Sequence, residues 1–184
     1  MGDTTGRRSA ALAVQRSRFV SLTPAQPLSA LVRQLCAQLS NVEPIFLPFT
    51  KLGRYRPAQC HANVFHRVRV YGGERINGWM IGENPYYAEA EFHCVWRSGQ
   101  GKLLDITPRR SGAAMILFLP DPKTRLMRGP FGTFIQPANR TTAAYMPYLS
   151  LGQPYPRDIV EVKPNDRTLQ YCKSLGFDLF DLCE

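Results

Sequence analysis

The chain has no CxxC pair, and its five cysteines are an odd number spread over 184 residues. That pattern argues against a disulfide framework and for free thiols in a reducing compartment, so a cytoplasmic protein is expected. Long apolar runs are missing too. The longest, Ala113–Pro120, is too short to span a bilayer, and no membrane partner is expected. The first residues, Met1–Arg8, lack the apolar centre of a secretory signal, and Gly6 stands where a myristoylation motif has Ser or Thr. No dense basic block accompanies the net charge of +9. The excess is scattered over Arg7 and Arg8, Arg54 and Arg56, Arg67 and Arg69, Arg109 and Arg110, and Lys123–Arg128, which gives little support for a nucleic-acid partner. Internal repeats and low-complexity segments are absent.

What is present is a globular composition, 44% apolar and 20% charged, in a chain long enough for one domain. Residues 1–18 are small, polar and basic and read as a flexible start. The single domain then covers 19–184, with its core in 57–119. Leu28, Leu31, Val32, Leu35, Cys36 and Leu39 recur at helical spacing, so a helix opening at Thr23-Pro24 is expected to run to about Asn41, with Cys36 as a core thiol. Glu43–Phe49, broken by Pro44 and Pro48, reads as a loop or an edge strand. A second helix is expected over Pro57–Tyr71, started by Pro57 and stopped by Gly72-Gly73.

Strand patterns follow at Glu74–Gly82, Ala88–Arg97, Lys102–Thr107 and Ala113–Leu119. In Ala88–Arg97, Phe92, Cys94 and Trp96 take one face, and Glu89, Glu91, His93 and Val95 the other. The two glutamates are either a solvated face or an acidic rim that attracts a basic substrate. Beyond Asp121, prolines and glycines predict loops with one strand at most, then a strand at Asp158–Val162. A last helix is expected over Asn165–Ser174, capped by Asn165 and stopped by Gly176. The fold class is therefore α+β, with N-terminal helices packed on an antiparallel sheet of four to six strands.

Three residues stand out for chemistry: Cys60 in the first turn of a helix, His93 in a strand, and Asp105 in the next strand. A thiol reacts as thiolate, and both a helix N-terminus and a neighbouring imidazolium lower its pKa. Asp105 would hold the imidazole in a useful tautomer. A three-residue loop, Ser98-Gly99-Gln100, would set His93 and Asp105 directly opposite each other on one sheet face. A two-residue loop would point them to opposite faces.

Cys60-His61-Ala62-Asn63, Gly78-Trp79, Glu91–Trp96 and Leu104-Asp105-Ile106-Thr107-Pro108 together resemble the core of the papain-like and transglutaminase-like cysteine enzymes. The resemblance covers about residues 57–108. It implies a papain-like core and acyl transfer through a thioester on Cys60, with His93 as base and acid, Asp105 as orienting group, and a protein or peptide substrate. Water as acceptor would make the enzyme a protease or deamidase, an amine a transglutaminase. Cofactors and metals have no part in it. Arg54 occupies the place where the papain pattern has its oxyanion glutamine. Gln59, Tyr55 or the backbone N–H of Cys60 can substitute, and Trp79 is either a core aromatic or a wall of the cleft.

Two other readings compete. A chain of this fold without catalysis would serve as a binding module with a basic surface. A zinc protein would draw on Cys60, His61, His66, His93 and Cys94, but their spacing matches no common zinc pattern. His61 falls inside the apolar stripe of its helix and reads as packing. His66 lies about 140° away from it on the helix wheel, and Cys94 points away from His93.

Overall fold

Three α-helices, two short 3-10 helices (Pro130–Gly132 and Leu179–Leu182) and nine strands occupy the described residues, 22–85, 87–143 and 159–183, of the computed structural model. The expected flexible start and the stretch 144–158 lie outside these. Helices α1 (Ala30–Leu39), α2 (Cys60–Tyr71) and α3 (Asp166–Ser174) accompany strands β1 (Ile45–Pro48), β2 (Glu74–Glu83), β3 (Tyr87–Arg97), β4 (Leu103–Leu104), β5 (Met115–Pro120), β6 (Met127–Arg128), β7 (Phe134–Pro137), β8 (Arg140–Ala143) and β9 (Ile159–Val162). This is an α+β architecture. The main sheet is antiparallel and six-stranded, in the order β1-β5-β2-β3-β4, with β8 also on β3. A second sheet runs β6-β7-β9.

Helix α1 starts later than its periodicity suggests. Ser29, not Thr23, caps it by accepting from the Val32 N–H at 3.1 Å. Pro27 biases the residue before it away from helical backbone, so the helix begins beyond it. Helix α2 also starts late, at Cys60. Ala58 sits at φ 56°, a left-handed conformation that interrupts any helix from Pro57. Its end is as expected: Gly72 and Gly73 adopt φ 72° and 89°, and a Cβ on Gly73 would lie 2.2 Å from the Arg97 carbonyl oxygen. Asn165 caps α3 through the Thr168 N–H at 2.9 Å.

Strand β1 is an edge strand, consistent with its prolines. Strand β3 pairs with β2 along nearly its whole length. On its other edge, β8 pairs with Tyr87–Ala90 and β4 with Trp96 and Arg97. The ladder on that edge is therefore interrupted over residues 91–95, where the Phe92 N–H turns to Asn139 Oδ1 at 3.4 Å. Buried side chains fill both faces of the sheet. Cys94, Trp96, Leu104 and Ile106 pack with Val64 of α2, while Val95, Ile116 and Phe118 pack with Leu47 on the other side. A larger cluster joins Val32, Leu35 and Cys36 of α1 to Trp79, Phe92, Tyr171 and Leu179. No helix among the described residues is long and apolar enough to cross a membrane.

Candidate active site

The interrupted edge of β3 is where the chemistry gathers. His93 is 2% exposed, and its Nε2 lies 3.2 Å from Asp105 Oδ1. The turn that brings them together has the required parity with a shifted register. Ser98 N–H bonds the Lys102 carbonyl at 2.9 Å, leaving Gly99-Gln100-Gly101 as the loop. Arg97 pairs with Leu103, so Asp105 is diagonal to His93 and not directly opposite. The return strand is also shorter than expected. After Leu104 the backbone leaves β3, and Asp105 bridges to Phe49, its carbonyl accepting from the Thr50 N–H at 2.8 Å.

Asp105 is completely buried, and both of its oxygens are engaged. Oδ1 accepts from the Thr107 N–H at 3.1 Å, and Oδ2 accepts from Arg109 Nη2 at 2.9 Å. Burial alone would raise its pKa. Hydrogen bonding and the charge of His93, followed by the charge of Arg109, outweigh burial and lower it. Arg109 Nη2 also comes within 3.0 Å of His93 Nε2. Both nitrogens are drawn there by one carboxylate, which fixes the ring. With Nε2 turned to Asp105, Nδ1 is the ring nitrogen left for a thiol.

Cys60 is that thiol. Burial opposes its ionisation, but the charges of His61 and then His93, with hydrogen bonding to each ring, bring its pKa well below that of an ordinary thiol. The effect is reciprocal. Burial disfavours the imidazolium of His93, yet the Cys60 thiolate and the Asp105 hydrogen bond raise it to about 9. Both shifts point toward a thiolate–imidazolium pair. The other cysteines contrast with it. Cys36 and Cys172 are buried and pushed up to about 11, and Cys94 is fully buried.

Cys60 is the first residue of α2, and the first helical bond is from Asn63 N–H to Gln59 O at 2.9 Å. The N–H groups of Cys60, His61 and Ala62 therefore have no intrahelical acceptor. Their partial positive charge suits a thiolate or an oxyanion. Among the side chains considered for that role, Gln59 lines the space beside Cys60, but its amide donates to Thr168 Oγ1 at 3.1 Å. Tyr55 is turned away: its hydroxyl pairs with His66 Nδ1 at 3.2 Å. Trp79 is buried, and its indole N–H is spent on Asp121 Oδ2 at 3.0 Å, so it is a core residue and not a cleft wall.

Two further residues were not singled out in these roles by the sequence. His61 does pack, its ring 4.5 Å from that of Phe92, but it also stands beside the Cys60 sulfur, and its Nε2 is buried with no hydrogen-bond partner among the described residues. The wheel places consecutive residues about 100° apart, which hides the convergence of their side-chain tips at a helix start. Asn63, outside the apolar stripe, is completely buried. Its amide donates to Arg56 O at 2.9 Å and Thr107 Oγ1 at 3.1 Å, and accepts from the Tyr171 hydroxyl at 2.6 Å. It thereby ties the start of α2 to the segment after Asp105 and to α3. Glu91, on the His93 face, is exposed at its surface yet loses enough water, next to the Cys60 thiolate, that its carboxyl pKa is raised.

Beside Cys60 and His61 opens a cavity of about 220 Å³. No group of three or more His, Cys, Asp or Glu among the described residues is placed to hold a metal ion. No protein-family model, curated protein or solved structure matches the chain.

Proposed function

We propose that this protein is a cysteine-dependent acyl-transfer enzyme of the papain-like or transglutaminase-like kind, acting on an amide bond of a protein or peptide. The observation that carries the reading is the ordered chain from thiol to carboxylate. Cys60 lies beside a buried imidazole, that imidazole is held by a buried aspartate, and the aspartate is held in turn by Arg109.

The Cys60 thiolate attacks the carbonyl carbon, forming a C–S bond and pushing charge onto the carbonyl oxygen. That oxygen is met by the free N–H groups at the start of α2. The C–N bond then breaks, and His93 gives its proton to the leaving amine. Next, His93 takes a proton from water or from an acceptor amine, which attacks the thioester and releases the thiolate. Asp105 keeps Nε2 protonated throughout, so Nδ1 performs both transfers.

Trapping tests the proposal. Brief incubation with 4-nitrophenyl acetate and acid quench should leave one acetyl group on the Cys60 peptide, labile to hydroxylamine and absent from Cys60→Ala. Acetyl groups spread over lysines, with no change in Cys60→Ala, would refute it.

A further inference from the structure

The cavity beside the thiol has a chemistry of its own. Its floor is made by Leu126, Phe134, Leu179 and Leu182, all at least 94% buried, and Cys60 and His61 stand at one end. Among the described residues no aspartate or glutamate lines it, and the one lysine or arginine that does, Lys163, is exposed. At about 220 Å³ it is smaller than the ~300–1,000 Å³ of a site for a whole small-molecule ligand. One side chain fits that space.

His93 is not among the residues that line it. This asymmetry assigns the cavity a direction, on the reading of Cys60 as nucleophile and His93 as acid. The leaving amine must lie next to His93 to receive its proton. The cavity opens on Cys60 without touching His93, so it faces the half of the substrate that stays bonded to sulfur.

We propose that this cavity is the specificity pocket of the enzyme: it receives one uncharged apolar side chain, of leucine or phenylalanine size, from the residue whose carbonyl is attacked by Cys60. A carboxylate side chain would lose its water against the apolar floor, and pairing with the exposed Lys163 would offset little of that cost. A lysine side chain would find no acidic partner in the pocket. The small sheet and the last helix thereby gain a role. Phe134 of β7, Leu126 before β6, and Leu179 and Leu182 after α3 supply the floor that distinguishes substrates.

N-acetyl amino-acid chloromethyl ketones probe this directly. The thiolate displaces chloride, one C–S bond forms as the C–Cl bond breaks, and the mass of the adduct reports the rate. Iodoacetamide, which has no side chain, measures the thiol alone. The protein should react with leucyl and phenylalanyl reagents at least about 10-fold faster than with glycyl, glutamyl or lysyl reagents, since even one methylene in a fitted pocket is worth ~10-fold or more. Leu182→Trp, which fills the cavity from its floor, should erase the preference while leaving the iodoacetamide rate unchanged. Should that variant fold poorly, Val162→Trp at the exposed rim should reduce the leucyl rate in the same selective way. A flat series, or one led by a charged reagent, together with fast iodoacetamide labelling of Cys60, would overturn the pocket and spare the nucleophile. Slow labelling of Cys60 by every reagent would overturn both.

Discussion

Removing His93 should make the thiol ordinary in a measurable amount. An isolated thiol with pKa about 8.5 is ~0.3% ionised at pH 6, so complete ionisation raises the thiolate population ~300-fold. Nucleophilicity falls with pKa at a slope of about 0.4–0.5. A thiol brought to a pKa equal to the working pH is half ionised, ~160-fold up, and therefore gains only about 10–15-fold net. That is the ceiling for Cys60 over a free thiol with iodoacetamide at pH 6. Two imidazoles share the work, so His93→Ala should cost several-fold, and His61→Ala with His93→Ala together should remove the whole advantage. Cys183 is the internal standard. It is the other half-exposed thiol, and burial raises its pKa. Peptide mapping after timed alkylation should show Cys60 labelled at least about 10-fold faster than Cys183 in the native protein. The pH profile adds a sign. His93 is raised to about 9, so its proton is present below that pH and is lost as pH rises through it. Turnover of an amide, which needs that proton, should fall above about pH 9, while alkylation, which needs only the thiolate, should not. Equal labelling of Cys60 and Cys183 at pH 6, or no loss in the double variant, would refute the reasoning.

Asn63→Ala should strand the buried Tyr171 hydroxyl and Thr107 hydroxyl, at a cost of about 2–4 kcal/mol. In a chain of this size that lowers Tm by about 5–15 °C, and a calorimetric change below about 1 °C would contradict it. Gly78→Ala places a Cβ 2.2 Å from the Leu119 carbonyl oxygen and 2.9 Å from Phe118 Cζ. Because the Phe118 ring meets the His93 ring edge-on at 6.3 Å, both Tm and the Cys60 labelling advantage should drop. Unchanged values of both would show that the sheet absorbs the methyl group.

β3 was open to sequence reading because Ala88, Ala90, Phe92, Cys94 and Trp96 alternate with Glu89, Glu91 and His93; burial follows that two-residue period as far as Glu91 and is continuous from Phe92 to Trp96. The end of α2 was equally plain, since two adjacent glycines take left-handed backbone there. Its beginning was not. Pro57 is a good first residue for a helix, and nothing in its neighbours announces that Ala58 will adopt positive φ. The parity of the 98–101 turn was the open question. It depends on which residue hydrogen-bonds across the loop, a choice that composition leaves free. Partners outside the strand and helix patterns were the least legible. Arg109 reaches back to Asp105 across a bend at Thr107, and Asn63 meets Tyr171 from 108 residues away. The pocket floor likewise combines β7, the segment before β6 and the last turn of the chain, none of which carries a motif.

The hydrogen bonds of Asn63 also set an order of events. Residues 57–108 contain the thiol, the imidazole and the carboxylate, yet the amide that locks the start of α2 is completed by Tyr171. During synthesis, at roughly 5–20 residues per second, a chain that has already made its nucleophile lacks this tie until the last helix emerges and docks. The same link joins the thiol to the pocket floor, since Leu179 and Leu182 follow that helix. Nucleophile and selectivity are thus completed together, and a chain cut before residue 171 would lose both the tie and half of the floor.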